Sequence, residues 1–139
     1  MIRFAGAATQ QPSDLMEKAM PLAEIHARLA NTALFYVLLV ALWGWLRYFR
    51  RQDIHSSYWG ALAIGEVLIL IQGVLGAYLW ISGSQPGQTI HILYGVISAL
   101  AIPAAFAITK GRDDRRALMV YAAMLLFLAG LLWRAVATG

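Results

Sequence analysis

The 139-residue chain is 60% hydrophobic and only 13% charged, with a mean hydropathy of +0.64, which excludes an ordinary soluble domain and predicts a membrane protein. It contains no cysteine, which excludes disulfides, thiolate metal sites and cysteine nucleophiles. The net charge of +4 does not predict nucleic-acid binding, because the basic residues cluster at helix ends and form no stripe with interleaved aromatic residues.

Residues 1–21 precede the first long apolar run and are expected to form an arm on the outer side of the membrane. A Pro-Ser-Asp run at residues 12–14 can cap a short helix over residues 15–20. The apolar side chains of this short helix are expected to lie on the membrane surface. Pro21 is predicted to end the short helix and to begin the next one.

Four apolar segments follow, and each is long enough to cross a bilayer as a helix. They are predicted at residues 22–49, 58–82, 89–109 and 117–137. Short polar loops join them, and no linker or composition change indicates a second domain. The sequence therefore predicts an all-α fold, an integral membrane antiparallel four-helix bundle.

The distribution of basic residues predicts the orientation of this bundle. Arg50 and Arg51 lie in the loop after the first helix, and the loop over residues 110–116 follows the third helix with further basic side chains. The turn between the second and third helices has no basic residue. Because basic loops stay on the cytoplasmic side, we expect a protein of the cell (inner) membrane with both termini outside the cytoplasm.

Two histidines lie near the outer ends of the first and third helices. His26 is about 21 residues from Arg47, and His91 is about 19 residues from Lys110, which corresponds to roughly 31 and 28 Å. The two imidazoles are therefore expected at nearly the same depth. In an antiparallel bundle the first and third helices are diagonal neighbours, so their side chains can meet across the interior. Histidine at membrane depth is costly, and the pair therefore indicates a function.

Small residues follow each histidine on its own helical face, since Ala30 and Gly95 come four positions after His26 and His91. They would leave a slot for a flat macrocycle, and the pair predicts bis-histidine ligation of a b-type haem iron. Zinc or copper is a weaker candidate because it usually needs further ligands. The alternatives are close helix packing for the small residues and imidazoles bonded to water or a carbonyl.

Two segments resemble the haem A synthase family. The run Gln72-Gly73-Val74-Leu75-Gly76, then Ser82-Gly83, a short loop and His91, is similar to the helix-loop-helix pattern in each half of that enzyme. The segment Glu24-Ile25-His26-Ala27-Arg28 resembles the family's Glu-x-x-His-Arg segment. The resemblance covers nearly the whole chain and one of the two four-helix bundles of the synthase. It implies that His26 and His91 are axial haem ligands near the outer face.

The spacing around His26 departs from the family pattern. Glu24 lies two residues before it instead of three, and Arg28 two residues after it instead of one. Both side chains therefore point about 200° around the helix from the imidazole. Because Glu24 and Arg28 are four residues apart, they are expected to form a helical ion pair. Arg28 and Arg134 are also placed to pair with haem propionates; for Arg134 a snorkelling anchor is the alternative.

Glu66 lies within the second predicted helix, roughly 11 Å from its basic end. A carboxylate at this depth is protonated, paired or beside water. It fits a proton-linked or quinone-binding role, or a neutral acid bonded to a neighbouring helix or a partner subunit. Glu24 and Glu66 are the candidates for a catalytic carboxylate. Gln72, six residues further outward, is expected to bond across helices or near a ligand.

Taken together, these residues predict a membrane protein that binds haem b and transfers electrons or carries the haem within a larger complex. Its partner would be a quinone or a redox protein. Two alternatives stay open. The first is a haem-modifying enzyme similar to haem A synthase, formed by a homodimer of bundles. The second is a cofactor-free accessory subunit of a respiratory or photosynthetic complex.

Overall fold

The computed structural model of the chain describes residues 11–139. Most of this range belongs to four helices, which are α1 (Pro12–Phe49), α2 (Ser56–Ile81), α3 (Ile90–Thr109) and α4 (Arg115–Thr138). Each is long and apolar enough to cross a membrane. The predicted all-α membrane four-helix bundle is confirmed. The first ten residues of the predicted outer arm lie outside the described residues.

The bounds of α2, α3 and α4 lie within two residues of the predicted ones. The start of α4 shows how a side chain determines where a helix begins. The Asp114 side chain accepts a hydrogen bond from the Ala117 N–H at 2.9 Å, and its carbonyl accepts from the Leu118 N–H at 3.0 Å. This N-cap lets α4 begin at Arg115, two residues before the apolar run itself.

The largest difference from the sequence prediction lies in α1, which continues through Pro21. The prediction that Pro21 ends a short helix over residues 15–20 is therefore wrong. Proline has no backbone N–H, so the carbonyl of Glu17, four residues earlier, loses its helical partner. Both residues are exposed, and water can replace that partner, which allows the helix to continue.

The four helices are arranged so that each one packs on two neighbours. The first helix contacts α2 and α4, and the third contacts the same two. Among the described helices, the backbones of the diagonal pairs α1–α3 and α2–α4 do not approach each other. The α1–α4 interface is the most extensive and the α2–α3 interface is the smallest. The two histidine-bearing helices are thus diagonal, as predicted.

Aromatic residues fill the half of the bundle that contains the α1–α2 and α3–α4 loops. Tyr58 and Tyr121 are buried, and the Thr109 hydroxyl donates a hydrogen bond to the Tyr121 oxygen at 3.1 Å. The Trp59 ring meets the Tyr121 ring edge-on, with centroids 5.3 Å apart. The hydroxyl of Tyr58 occupies the space left by Gly44, which has no Cβ. This half of the molecule is therefore tightly packed.

We call this half the basic end, because its two loops and the helix ends beside them carry most of the basic residues. The loops are joined to each other. The Ile54 N–H donates to the Asp113 carbonyl at 2.8 Å, and the Arg115 guanidinium lies 4.4 Å from the centre of the Tyr48 ring. The opposite end, which contains the α2–α3 loop, is called the histidine end. The tied loops hold the helices in register, and this register positions the side chains at the histidine end.

Candidate functional site

His26 of α1 and His91 of α3 meet at the histidine end of the bundle. Their ring centroids are 6.1 Å apart, and the ring planes are inclined by 68°. Both residues are half-buried. The prediction that the two imidazoles lie at one depth and converge across the interior is therefore confirmed.

The separation of the two rings corresponds to that of two imidazoles on one metal ion. A metal–imidazole nitrogen bond is about 2 Å long, and two rings on opposite sides of one ion have centroids about 6 Å apart. Within residues 11–139, no direct hydrogen bond joins the two rings. The two imidazoles thus lie at a separation that suits a shared metal ion, without bonding to one another.

His91 is tied to α4. Its Nδ1 lies 2.8 Å from the Ala135 carbonyl oxygen. A carbonyl only accepts, so Nδ1 carries a proton, and in the neutral imidazole Nε2 then keeps a free lone pair. A bond to a carbonyl was also expected for a histidine without a ligand, but it equally matches the outer-shell contact of a metal-ligating histidine. The sequence could not reveal Ala135 as a partner, because any residue type has a backbone carbonyl.

His26 is held by α2. The side-chain amide of Gln72 donates a hydrogen bond to the His26 carbonyl at 2.8 Å, which confirms the predicted bond across helices. Gly76 lies against the imidazole, and a Cβ built on it would be 3.1 Å from Cε1 of His26. The Nδ1 atom of His26 is buried and has no hydrogen-bond partner among the described residues. Gln72 and Gly76, the first and last residues of the Gln-Gly-x-x-Gly run, thus hold His26.

The small residues near the two histidines differ in how far they are buried. Gly95 is exposed, and no described side chain or neighbouring helix lies within 4 Å of a Cβ built on it. Ala30 is half-buried. One turn further inward, Ala33 and Ser98 are completely buried in the core. The core is therefore closed one turn inward of the histidines, while the helix surface at Gly95 is open.

The charged residues predicted beside the pair are exposed. Arg28 and Glu24 form the predicted ion pair, with Nη2 2.6 Å from Oε1, and both side chains are exposed. Arg134 is also exposed and directly precedes Ala135 in α4. In the described part of the chain, neither arginine hydrogen-bonds a histidine. Their pairing with haem propionates, and a catalytic role for Glu24, stay predictions.

Glu66 is half-buried near the middle of α2. Its Oε2 atom is buried, and none of residues 11–139 offers it a hydrogen bond. It lies ten residues from Gly76, or about 15 Å along the helix, and so at a distance from the histidine pair. A bond from Glu66 to a neighbouring helix is not found in the described residues, and its proton-linked, quinone-binding or catalytic role stays a prediction.

The composition of the site separates it from common zinc and copper centres. No group of three or more histidine, cysteine, aspartate or glutamate side chains gathers anywhere in the described range. A centre of three or four protein ligands is therefore not formed by these residues. A planar macrocycle supplies four nitrogen ligands itself and needs only two axial groups, which is the number of imidazoles that converge.

Comparison of the chain with family models, with curated proteins and with solved structures finds no match. The fold alone defines its class. It is a multi-pass membrane protein built as an all-α four-helix bundle with two facing histidines at one end. The resemblance to haem A synthase stays a prediction from the motifs.

Proposed function

We propose that the protein binds one b-type haem between His26 and His91, and that it transfers electrons or carries the haem within a larger membrane complex. The observation that carries the proposal is the 6.1 Å separation of the two ring centroids. The free lone pair on Nε2 of His91 supports it, because an iron ligand must be an unprotonated imidazole nitrogen.

The residues around the pair fit such a group. His91 is oriented by the Ala135 carbonyl, and His26 is seated on Gly76. A bound haem iron supplies one-electron oxidation and reduction. The chain holds and orients the two axial ligands and surrounds them with apolar helices that exclude water. Because two protein imidazoles would hold the iron, the site would suit electron transfer better than small-molecule chemistry.

The orientation in the membrane is part of the same proposal. The basic end would face the cytoplasm, which places the histidine pair near the outer surface of the inner membrane and both termini outside. Electrons would then be exchanged with a quinone in the bilayer or with a redox protein at the outer surface.

An absorption spectrum of the protein purified in detergent from haem-replete cells tests haem binding. We expect the bands of six-coordinate, low-spin haem b in the wild-type protein. We expect these six-coordinate bands to vanish in His26→Ala and in His91→Ala. His55→Ala is the matched control, because His55 is exposed in the loop before α2 and lies at the basic end. Its spectrum should equal that of the wild-type protein.

Other outcomes would support the alternatives. Folded protein with intact histidines and no haem bands would overturn the proposal in favour of the cofactor-free accessory subunit. Conversion of co-expressed haem O to haem A, or to an oxidised intermediate, would instead favour the haem-modifying enzyme.

A further inference from the structure

The two facing histidines are held unequally. His91 has a side-chain tie to α4 through the bond from Nδ1 to the Ala135 carbonyl. Its neighbourhood has a second tie to the same helix, because the Gln88 N–H donates to the Thr138 carbonyl at 3.0 Å. The ring of His91 is therefore fixed in direction and in tautomer, and its Nε2 points away from α4.

His26 has a fixed backbone and a less restrained ring. The side chain of Gln72 bonds to the His26 carbonyl and anchors the α1 backbone, while the backbone of Gln72 lies beside the imidazole. The ring nitrogen Nδ1 has no hydrogen-bond partner in the described range. Packing against Gly76 and against the Gln72 backbone, without a well-formed hydrogen bond, holds the ring in place. Packing contacts do not select a tautomer, and they resist rotation less than a directed hydrogen bond.

Such a difference changes how strongly each imidazole holds a metal. A carbonyl that accepts the second N–H of a ligand histidine orients the ring and raises the basicity of the ligating nitrogen. Loss of such an outer-shell partner typically lowers metal affinity about 10- to 100-fold. His91 has this partner, and Nδ1 of His26 has none among the described residues.

We infer that His91 is the fixed axial ligand and His26 the exchangeable one, so that a small neutral ligand such as carbon monoxide enters on the His26 side. The inference rests on the proposed haem binding and adds to it. It gives the site a second capacity, the binding of a diatomic molecule after His26 has rotated away. Gly76 is the positioning residue that sets how easily this rotation occurs.

Replacing each histidine by alanine in turn compares how strongly His26 and His91 hold the haem. We expect His26→Ala to retain a five-coordinate haem on His91 and to bind carbon monoxide at least about tenfold more tightly than the wild-type protein. We expect His91→Ala to lose most of its haem during purification. If His91→Ala retains as much haem as His26→Ala, or more, the inference is overturned.

Two glycines of α2 provide a matched pair for the positioning role. A methyl group on Gly76 would lie 3.1 Å from Cε1 of His26, so the imidazole must shift, whereas a methyl group on Gly73 meets nothing within 4 Å. We expect Gly76→Ala to increase carbon monoxide binding and to change the midpoint potential of the haem. Gly73→Ala should match the wild-type protein. Equal responses of the two variants would contradict the positioning role.

A measurement on the haem-free protein separates this inference from haem binding itself. The chain has only three histidines, so selective ¹⁵N labelling of histidine gives three imidazoles to observe. We expect His91 to show one tautomer protonated on Nδ1, and His26 to show averaged signals that shift in Gly76→Ala but not in Gly73→Ala. Absence of haem would disprove the proposed function only. A single fixed tautomer on His26 would disprove the asymmetry.

Discussion

The side-chain amide of Gln72 donates a hydrogen bond of 2.8 Å to the backbone carbonyl of His26, and so joins α2 to α1 at the histidine end. The other amide atom, Oε1 of Gln72, is buried without a partner in the described residues. The side chain is therefore only partly satisfied. Its contribution to stability combines a favourable bond between helices with the cost of one unpaired acceptor.

Gln72→Leu removes both effects, and we expect the free energy of unfolding to fall by only about 0.6 kcal/mol, the average for such bonds between membrane helices. Reversible unfolding in mixed micelles measures this change. Gln85→Leu is the control, because Gln85 is exposed in the α2–α3 loop. A loss above about 2 kcal/mol would show that Gln72 has a further partner.

Gly44 of α1 tests the packing at the basic end. A Cβ at this position would overlap the hydroxyl of Tyr58 and press on Cβ of Ala122. We expect Gly44→Ala to lower the free energy of unfolding by about 1–3 kcal/mol, as overpacked cores do. Gly60→Ala is the matched control, since a Cβ on Gly60 meets nothing within 4 Å. Similar melting temperatures for both variants would contradict this account of the core.

Asp114 makes the stability of the basic end depend on pH. The N–H of Ala117, followed by the Arg112 guanidinium, holds the pKa of the Asp114 carboxyl below its ordinary value. A lowered folded pKa means that the charged form stabilises the fold above the unfolded value of about 3.9. This contribution is lost as the pH falls from there through the lower folded pKa.

We therefore expect Asp114→Ala to melt at a lower temperature than the wild-type protein at neutral pH. The difference should shrink as the pH is taken below about 4. Thermal unfolding followed by circular dichroism at several pH values measures both effects. Asp113→Ala is the control, because only the backbone carbonyl of Asp113 takes part in the contact between the loops. A pH-independent difference would exclude the cap as its cause.

Glu66 is expected to reduce the stability of the isolated protein. Its buried Oε2 has no partner in the described residues, and an unpaired polar atom in a membrane-spanning helix is costly. Glu66→Leu should raise the free energy of unfolding by about 1 kcal/mol, and Glu66→Gln should leave it nearly unchanged. Chemical unfolding in detergent measures both. A less stable leucine variant would indicate that another molecule bonds to Glu66.

The fold followed from the sequence because charge and hydropathy change sharply at the helix ends. The exception was Pro21, where the local preference of proline to interrupt a helix predicted a break that the structure does not have. An exposed position lets water replace the missing bond. The sequence pattern alone did not indicate that Pro21 is exposed.

The site was predictable in position but not in detail. Counting residues from Arg47 and Lys110 placed the two histidines at one depth, because helix rise is regular. The unequal support of the two rings could not be predicted. His91 is oriented by a backbone carbonyl, and because every residue has one, the sequence does not identify Ala135 as its partner. Gln72 and Gly76 did carry a signal, because residues four apart share one helical face.

The most extensive interface of the bundle joins α1, which is made early in synthesis, to α4, which is made after the other three helices. Membrane insertion therefore leaves the inner face of α1 facing lipid or a chaperone until Arg115–Thr138 has been delivered. The carbonyl of Ala135 arrives at the same moment. Any cofactor that requires an oriented His91 can therefore be received only after Arg115–Thr138 has been translated.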